Sequence, residues 1–322
     1  MSGDRSNPAG VPSVDVVICA YTDARWGRLS ASIESMRQQT IGPAAVILSI
    51  DHNPDLFQRV RAAFPDVVVV ENQEARGLSG ARNAGIAAGR SEVIAFLDDD
   101  ATAAPDWVAR LAAGYADESV LGVGGEIIPV WSDGSRPPWF PAEFDWVVGC
   151  SYRGLPERVR PVRNLIGCNM SFRRRIFAEV GGFRSGIGRV GTRPVGCEET
   201  ELCIRASRRW PAGVILYEPR ARVHHHIAAA RERWSYYRAR CYAEGISKAL
   251  VSRLVGPSAG LASERRHLSR TLPMAALRAL SDLATHRDPW GLARAGAIVA
   301  GVTFATAGYV RASFTAAPNV TT

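Results

Sequence analysis

The chain has 322 residues, 47% hydrophobic and 22% charged, which supplies enough apolar surface for a full core and excludes a largely disordered polymer. Its formal charge of +8 is local: residues 231–322 hold 13 Lys and Arg against 5 Asp and Glu, while the first 230 residues carry 26 of each. A field of that kind suits an anionic membrane surface or a lipid phosphate, and with no RNA- or DNA-binding motif beside it nucleic acid is not an expected partner.

Residues 1–12 are polar, rich in Gly and Pro, and without the basic start and apolar run of a secretory signal, so they read as a flexible tail. Val14–Ala20 and Ala45–Ile50 are β-branched apolar runs separated by Leu29, Ile33 and Met36 at helical spacing, which predicts strand, helix, strand. Leu56–Phe64 reads as a helix, Val67–Val70 as a strand, Ala81–Ala88 as a helix and Val93–Leu97 as a fourth strand. This alternation predicts an α/β fold with a mostly parallel sheet covered by helices on both faces, and ligands at the carboxyl ends of the strands. Those ends carry Tyr21–Asp23, Asp51–Asn53 and Asp98–Asp100, three polar clusters expected on one edge.

From Trp131 to Arg163 prolines, glycines and aromatics break the pattern, predicting a long functional loop or short irregular strands. Phe172–Val180 and Thr200–Arg208 read as helices, and beyond His226 the chain is mainly helical. Ala295–Val310 is an uncharged run of 16 residues between Arg294 and Arg311, short of the roughly 18–20 that span a bilayer. It fits either a packed helix or one lying in the bilayer surface. The six cysteines contain no CxxC pair, so reduced thiols in the cytosol are expected. Lys248 is the only lysine in an otherwise all-arginine basic set, a bias attributed to base composition.

The strongest chemical signal is Phe96-Leu97-Asp98-Asp99-Asp100, an apolar strand ending in three carboxylates. Like charges so close call for a counter-cation, and hard oxygen ligands select Mg2+ or Mn2+; a solvated turn is the competing reading. Around it the chain resembles the donor-binding half of bacterial glycosyltransferase family 2. The matching words are VVICAYTD (Val16–Asp23), SIDHNPD (Ser49–Asp55), GLSGARNAG (Gly77–Gly85) and FLDDDATAAPDW (Phe96–Trp107), followed by GCNMSFRR (Gly167–Arg174), GGF (Gly181–Phe183), CEETELCIR (Cys197–Arg205) and ARVHHH (Ala221–His226). Eight words in order over about Val14–Leu254 are specific where each alone is weak.

The resemblance implies a GT-A fold, inverting transfer and a metal-bound nucleotide-sugar donor. It implies that Asp100 coordinates the metal while Asp98 and Asp99 face the ribose and sugar. Arg82 belongs near the base or diphosphate, and Ala20, Tyr21 and Asp23 along the nucleotide sugar; Asp51 is either a base contact or a plain turn residue before Asn53-Pro54. The family's usual Glu-Asp pair is Glu198-Glu199 here, which makes Glu199 the implied base, one methylene longer. At the start of a helix the two glutamates point about 100° apart and serve different tasks, Glu198 being a sugar contact or simply an acid favoured by the helix dipole. Glu201 is a structural or acceptor contact. In the family that the chain resembles a metal-binding His follows a V-x-H spacing, which picks His225 from Val223 as the implied metal ligand; in an extended chain His225 faces away from His224 and His226, which read as surface or core histidines. Trp139, Trp146 and Tyr152 are candidates for stacking on an acceptor sugar or lipid, with loop core as the commoner reading, and Asn169 for a donor or acceptor contact, with a buried polar filler as the alternative.

The chain is therefore expected to comprise the tail, a catalytic domain over 13–230 with a donor half 13–125 and an acceptor half 126–230, and a basic helical region 231–322. The expected activity is an inverting, Mn2+- or Mg2+-dependent hexosyl transfer from a UDP- or GDP-sugar to a glycan, lipid-linked or small hydroxylated acceptor. The expected location is the cytoplasmic membrane face, held peripherally. A polyprenyl-phosphate glycosyltransferase and a catalytically inactive nucleotide-sugar-binding scaffold are the alternatives.

Overall fold

In a computed structural model describing residues 11–185, 187, 196–256, 267–285 and 288–315, β1 (Val14–Ala20) is the hub of the first half. The expected tail lies, up to residue 10, outside the described residues. Val14, Val16, Ile18 and Ala20 enter one core and Val17 the other, so both faces of the strand are buried. Parallel partners flank it: β2 (Ala45–Ile50) with β3 (Val68–Glu71) beyond it on one side, and β4 (Val93–Asp98) on the other. α1 (Trp26–Arg37) and α2 (Pro54–Ala63) pack on one face through Leu29, Ile33, Met36, Leu56 and Val60, while Ile86 and Ala88 of α3 (Leu78–Ala88) pack against the other. Because the chain runs outward from β1 to β3 and then returns to the far side of β1, the crossovers diverge between β1 and β4. That divergence opens a crevice at their carboxyl ends, where Tyr21 and Asp98 stand.

The second half makes the nine-stranded sheet mixed, in the order β3-β2-β1-β4-β8-β6-β9-β5. β5 (Ala101–Ala103) leads into α4 (Trp107–Ala113), then β6 (Val120–Val130), β7 (Arg160–Pro161), β8 (Asn169–Arg173), α5 (Arg175–Val180), α6 (Glu198–Arg209) and β9 (Val214–His226). β8 runs antiparallel between β4 and β6, and β7 pairs with β9 at the rim. Two expectations are corrected here. Phe172 and Arg173 close β8, so the helix expected from Phe172 begins only at Arg175. β6 was not anticipated, because Gly122, Gly124 and Gly125 erase its alternation: a side chain at those positions would collide with Phe172, Leu165 and the Ala221 carbonyl. Between residues 131 and 163 the chain is irregular as expected, holding a 3-10 turn at Ala142–Val148 and the short β7. The boundary drawn between 125 and 126 falls inside β6, at a register shift against β9.

Among the described residues three α-helices follow, α7 (Trp234–Val255), α8 (Leu272–Thr285) and α9 (Gly291–Phe314). α7 and α9 touch backbone to backbone: a Cβ on Gly245 would meet the Ala305 carbonyl, and one on Gly308 the Tyr242 carbonyl. Gly245→Ala is therefore expected to cost about 1–3 kcal/mol by overpacking, read as a lower midpoint in thermal denaturation. Gly296→Ala, on α9 with nothing within 4 Å, is the control and is expected to raise stability by about 0.4–1 kcal/mol. α9 is long and apolar enough to cross a membrane by length and composition, with only 28% of its most apolar window buried in the fold.

Candidate active site

The Asp turn is held by a β-ladder. Straight after Asp100, β5 pairs antiparallel with β9, setting Ala101 opposite His225, and the His226 amide donates to the Asp100 carbonyl at 2.9 Å. This register carries His225 to the acids although it lies 125 positions beyond Asp100 in the chain: its Nε2 lies 3.0 Å from Asp100 Oδ1. As the alternation requires, His225 is buried, His224 exposed and His226 half-buried. Ligand atoms of Asp98, Asp100 and His225 all lie within 4.8 Å of one another. Two carboxylates and an imidazole in that space fit a divalent cation.

Countercharge also comes from arginines that the sequence reading missed. Arg25 reaches Asp99 Oδ1 at 2.8 Å and Asp100 Oδ2 at 3.1 Å, and Arg231 stands 3.9 Å from Asp100. Burial raises both carboxyls. Repulsion by Asp100 pushes Asp99 further up, while His225 and Arg25 hold Asp100 well below the ordinary carboxylate range. Asp99, expected to face ribose and sugar, instead turns one oxygen to Arg25; its Oδ2 is buried with no partner among the described residues. Asp98, half-buried, stands with the metal-ligand group.

The second acidic pair opens α6. Cys197 adopts a left-handed backbone (φ 76°), a strained conformation for a residue with a Cβ, and so turns the chain into the helix with Glu198 and Glu199 in its first turn. Glu198 is 4% exposed and paired with Arg82, 2% exposed, at 2.6 Å. Arg82 also donates to the Gly167 carbonyl at 3.2 Å and lies 3.8 Å from Asp98, so one guanidinium joins the two acidic clusters. Glu199 is pushed up to about 8 by burial and by the neighbouring Glu198 charge. Glu201 takes the structural alternative: it is buried against Arg205 at 2.7 Å and Arg184 at 3.3 Å.

Arg82, Asp98, Glu198, Glu199 and His225 line one cavity of about 490 Å³. Other parts of its wall come from the irregular segment, with Trp146 and Tyr152, and from α7 and α9, with Arg240, Lys248, Val302 and Tyr309. Trp139 is not on this wall; it packs on Phe140, Trp234 and Tyr237, correcting its place in a stacking platform. Asn169 is likewise corrected to a core fastener. Its Oδ1 accepts from Trp107 Nε1 at 2.8 Å, and its Nδ2 donates to the Glu126 and Ala221 carbonyls at 3.0 and 2.8 Å, leaving the amide committed to the core.

The ends of β1 and β2 converge directly, and Arg25, two residues after Asp23, ties them to the Asp turn. Asn53 Nδ2 donates to the Tyr21 carbonyl at 3.1 Å, the Asp51 amide to the Ala20 carbonyl at 2.8 Å, and Arg59 reaches Asp23 at 3.2 Å. Asp51 accepts from Asn72 Nδ2 at 2.7 Å and the Gly77 amide at 3.0 Å, tying the end of β2 to the start of α3. Tyr21 stays exposed beside the Arg25 guanidinium.

Comparison with known proteins decides the family. The family model described as glycosyl transferase family 2 matches residues 15–181. A glucosyl-dolichyl phosphate glucuronosyltransferase of Haloferax volcanii is 38% identical over 245 residues, 75% of this chain and 78% of that one. This chain belongs to glycosyltransferase family 2. The glycosyltransferase is also 38% identical over 103 residues to the succinoglycan biosynthesis protein ExoO of Rhizobium meliloti, 31% of this chain and 29% of that one. With an archaeal relative among them, the likeness is not confined to bacteria. Two solved structures share the GT-A fold at low identity. A mannosyltransferase of Pyrobaculum calidifontis in complex with GDP-Man and Mn2+ has TM-score 0.57 and 16% identity over 92% of this chain and 88% of that one. GalNAc-T7 with UDP, GalNAc and Mn2+ has TM-score 0.53 and 17% identity over 76% of this chain and 50% of that one.

Proposed function

We propose that this glycosyltransferase transfers a hexosyl group from a nucleoside diphosphate sugar, UDP favoured, to a hydroxyl of a lipid-linked glycan with inversion at the anomeric carbon. The observation that carries the reading is that Asp98 and His225 of the cation-binding group and the raised Glu199 carboxyl line one and the same cavity, with Arg82 bridging Asp98 to Glu198, the neighbour of Glu199. Residues 13–125 serve as the donor half and 126–230 as the acceptor half, with 231–322 completing the acceptor end.

Asp98, Asp100 and His225 would hold a divalent cation, Mn2+ by preference, which supplies charge to offset that growing on the leaving diphosphate. Arg25 and Arg231, beside the Asp turn, add fixed positive charge there. Ala20, Tyr21, Asp23 and Asp51 form the edge on which the nucleotide lies. As the bond from the anomeric carbon to the diphosphate oxygen breaks and the bond to the acceptor oxygen forms, Glu199 takes the hydroxyl proton. A single displacement of this kind inverts the anomeric centre. The products are the nucleoside diphosphate and the glycosylated acceptor, and Glu199 returns its proton to solvent.

The outer faces of α8 and α9 expose Met274, Leu277, Leu292, Val299 and Phe314 beside the arginine-rich end of the chain, which supports a peripheral seat on an anionic membrane. Six free cysteines suit its cytoplasmic side.

The test is nucleoside diphosphate release from UDP- and GDP-sugars with Mn2+, with and without chelator. Release that chelator abolishes supports the reading; donor binding without any turnover sinks it in favour of an inactive scaffold. In the same preparation His225→Ala is expected to weaken Mn2+ binding, followed by electron paramagnetic resonance, by more than the roughly 10–100-fold that loss of an outer-shell partner costs.

A further inference from the structure

Three residues of α7, Arg240, Glu244 and Lys248, stand four apart and share one face of the helix, and that face forms part of the cavity wall. The two cations converge on one carboxylate: Arg240 Nη1 lies 2.8 Å from Glu244 Oε2 and Lys248 Nζ 3.4 Å from Glu244 Oε1. Both cationic side chains are only 13% exposed. Arg163 lines the same cavity from the irregular segment. At the Asp end Arg82 faces Glu198 and Arg231 faces Asp100. Around α7, by contrast, Arg163, Arg240 and Lys248 outnumber Glu244 and Glu199 among the described lining residues, even with Glu199 counted as charged. Half-enclosed positive charge of this kind favours an anion, since ammonium and guanidinium groups bind phosphate by short charge-assisted hydrogen bonds.

We propose that Lys248 and Arg240 form an anion subsite that takes the phosphate of an acceptor whose sugar is carried on a lipid phosphate. The inference rests on the transfer reaction proposed above. Two further features fit an acceptor of that shape. Lys248 and Glu199 line the same cavity, so a phosphate held on Lys248 leaves the attached sugar in the space that the base faces. Val302, Ala305 and Tyr309 of α9 line the cavity beside it, and the same helix exposes Val299, Val310 and Phe314 outward, an apolar route for a chain leaving the site. Phosphate is a handle in this arrangement, and the nucleophile remains a sugar hydroxyl.

The experiment compares three acceptors: a short-chain isoprenyl-phosphate glucoside, glucose 1-phosphate and octyl glucoside. Lys248→Met is expected to raise KM for the isoprenyl-phosphate glucoside, relative to octyl glucoside, by about tenfold or more, and Lys248→Arg to restore most of the ratio. An unchanged ratio, with all acceptors weakened together or none, overturns the subsite while leaving the transfer reaction standing. A wild-type enzyme that turns over no nucleotide sugar overturns the reaction first, and this shows in the donor assay before any variant is compared. A lower wild-type KM for the isoprenyl-phosphate glucoside than for glucose 1-phosphate supports the lipid-borne source; equal values overturn that part and assign the subsite to free sugar phosphates.

Discussion

Glu199→Gln is expected to lower the turnover number by about 10²–10⁴-fold while donor affinity and the folded state persist. The substituted amide would keep the shape and the neighbouring Thr200 contact, yet it cannot take the acceptor proton. The pH profile offers a second, independent reading. Burial and the Glu198 charge push Glu199 up to about 8, so the carboxyl still holds its proton at neutral pH in the free enzyme. A base must be deprotonated to act, hence kcat/KM should rise with pH through about 8 and level above it. The sign for stability is opposite. Between the ordinary glutamate range and about 8 the folded chain keeps a proton that the unfolded chain has lost, so this group makes the fold less stable as pH rises across that window. Glu198→Gln removes the like charge beside the base and should move the rising limb to lower pH. Glu199→Asp, the residue usual in the family, should retain part of the activity, because drawing the carboxylate back by one methylene misplaces it on the scale that costs up to about 10²-fold. A flat pH profile with full turnover in Glu199→Gln would remove the base assignment.

The donor side was legible in the chain for a simple reason. Strands buried on both faces must be continuous apolar runs, so Val14–Ala20 and Ala45–Ile50 show their own limits, and polar residues directly after them mark the crevice edge. His225 was reachable, with Asp100, as a metal ligand through the family resemblance, but the means of their meeting was not, since it is the β5–β9 register that brings one to the other. β6 stayed hidden because its glycines make room for Phe172, Leu165 and the Ala221 carbonyl and leave no pattern of their own. Asn169 could not be told from a ligand contact, because a buried amide and a substrate-facing amide look alike in sequence and only the Trp107, Glu126 and Ala221 partners decide. The α7 wall did carry a signal, Arg240, Glu244 and Lys248 at four-residue spacing around the sole lysine, but nothing local says that this helix folds back over the catalytic cavity.

Arg82→Met is expected to destabilise the fold by about 3–5 kcal/mol, a large part of the 5–15 kcal/mol typical of a folded domain. The guanidinium is enclosed by Phe96 and Phe183, whose ring centroids lie 5.9 and 5.2 Å away, and it supplies the charge that permits Glu198 to be buried. Methionine fills much of the same volume, so the loss comes from a carboxylate stranded in the interior and not from a cavity. Glu198 Oε2 already lacks a hydrogen-bond partner among the described residues, and without Arg82 the Oε1 contact goes as well. The double variant Arg82→Met/Glu198→Met tests this origin directly: replacing a buried pair by apolar side chains is often neutral, so most of the lost stability should return in urea denaturation. Activity should not return with it. Arg82 also stands 3.8 Å from Asp98 and holds the Gly167 carbonyl, so the folded double variant loses the group that fixes the Asp turn relative to α6 and the base. Arg82→Lys sharpens the distinction, since it restores the charge but not the fork that reaches Glu198, Gly167 and Asp98 together. It should therefore recover stability further than turnover, whereas a post serving stability alone would recover both in step.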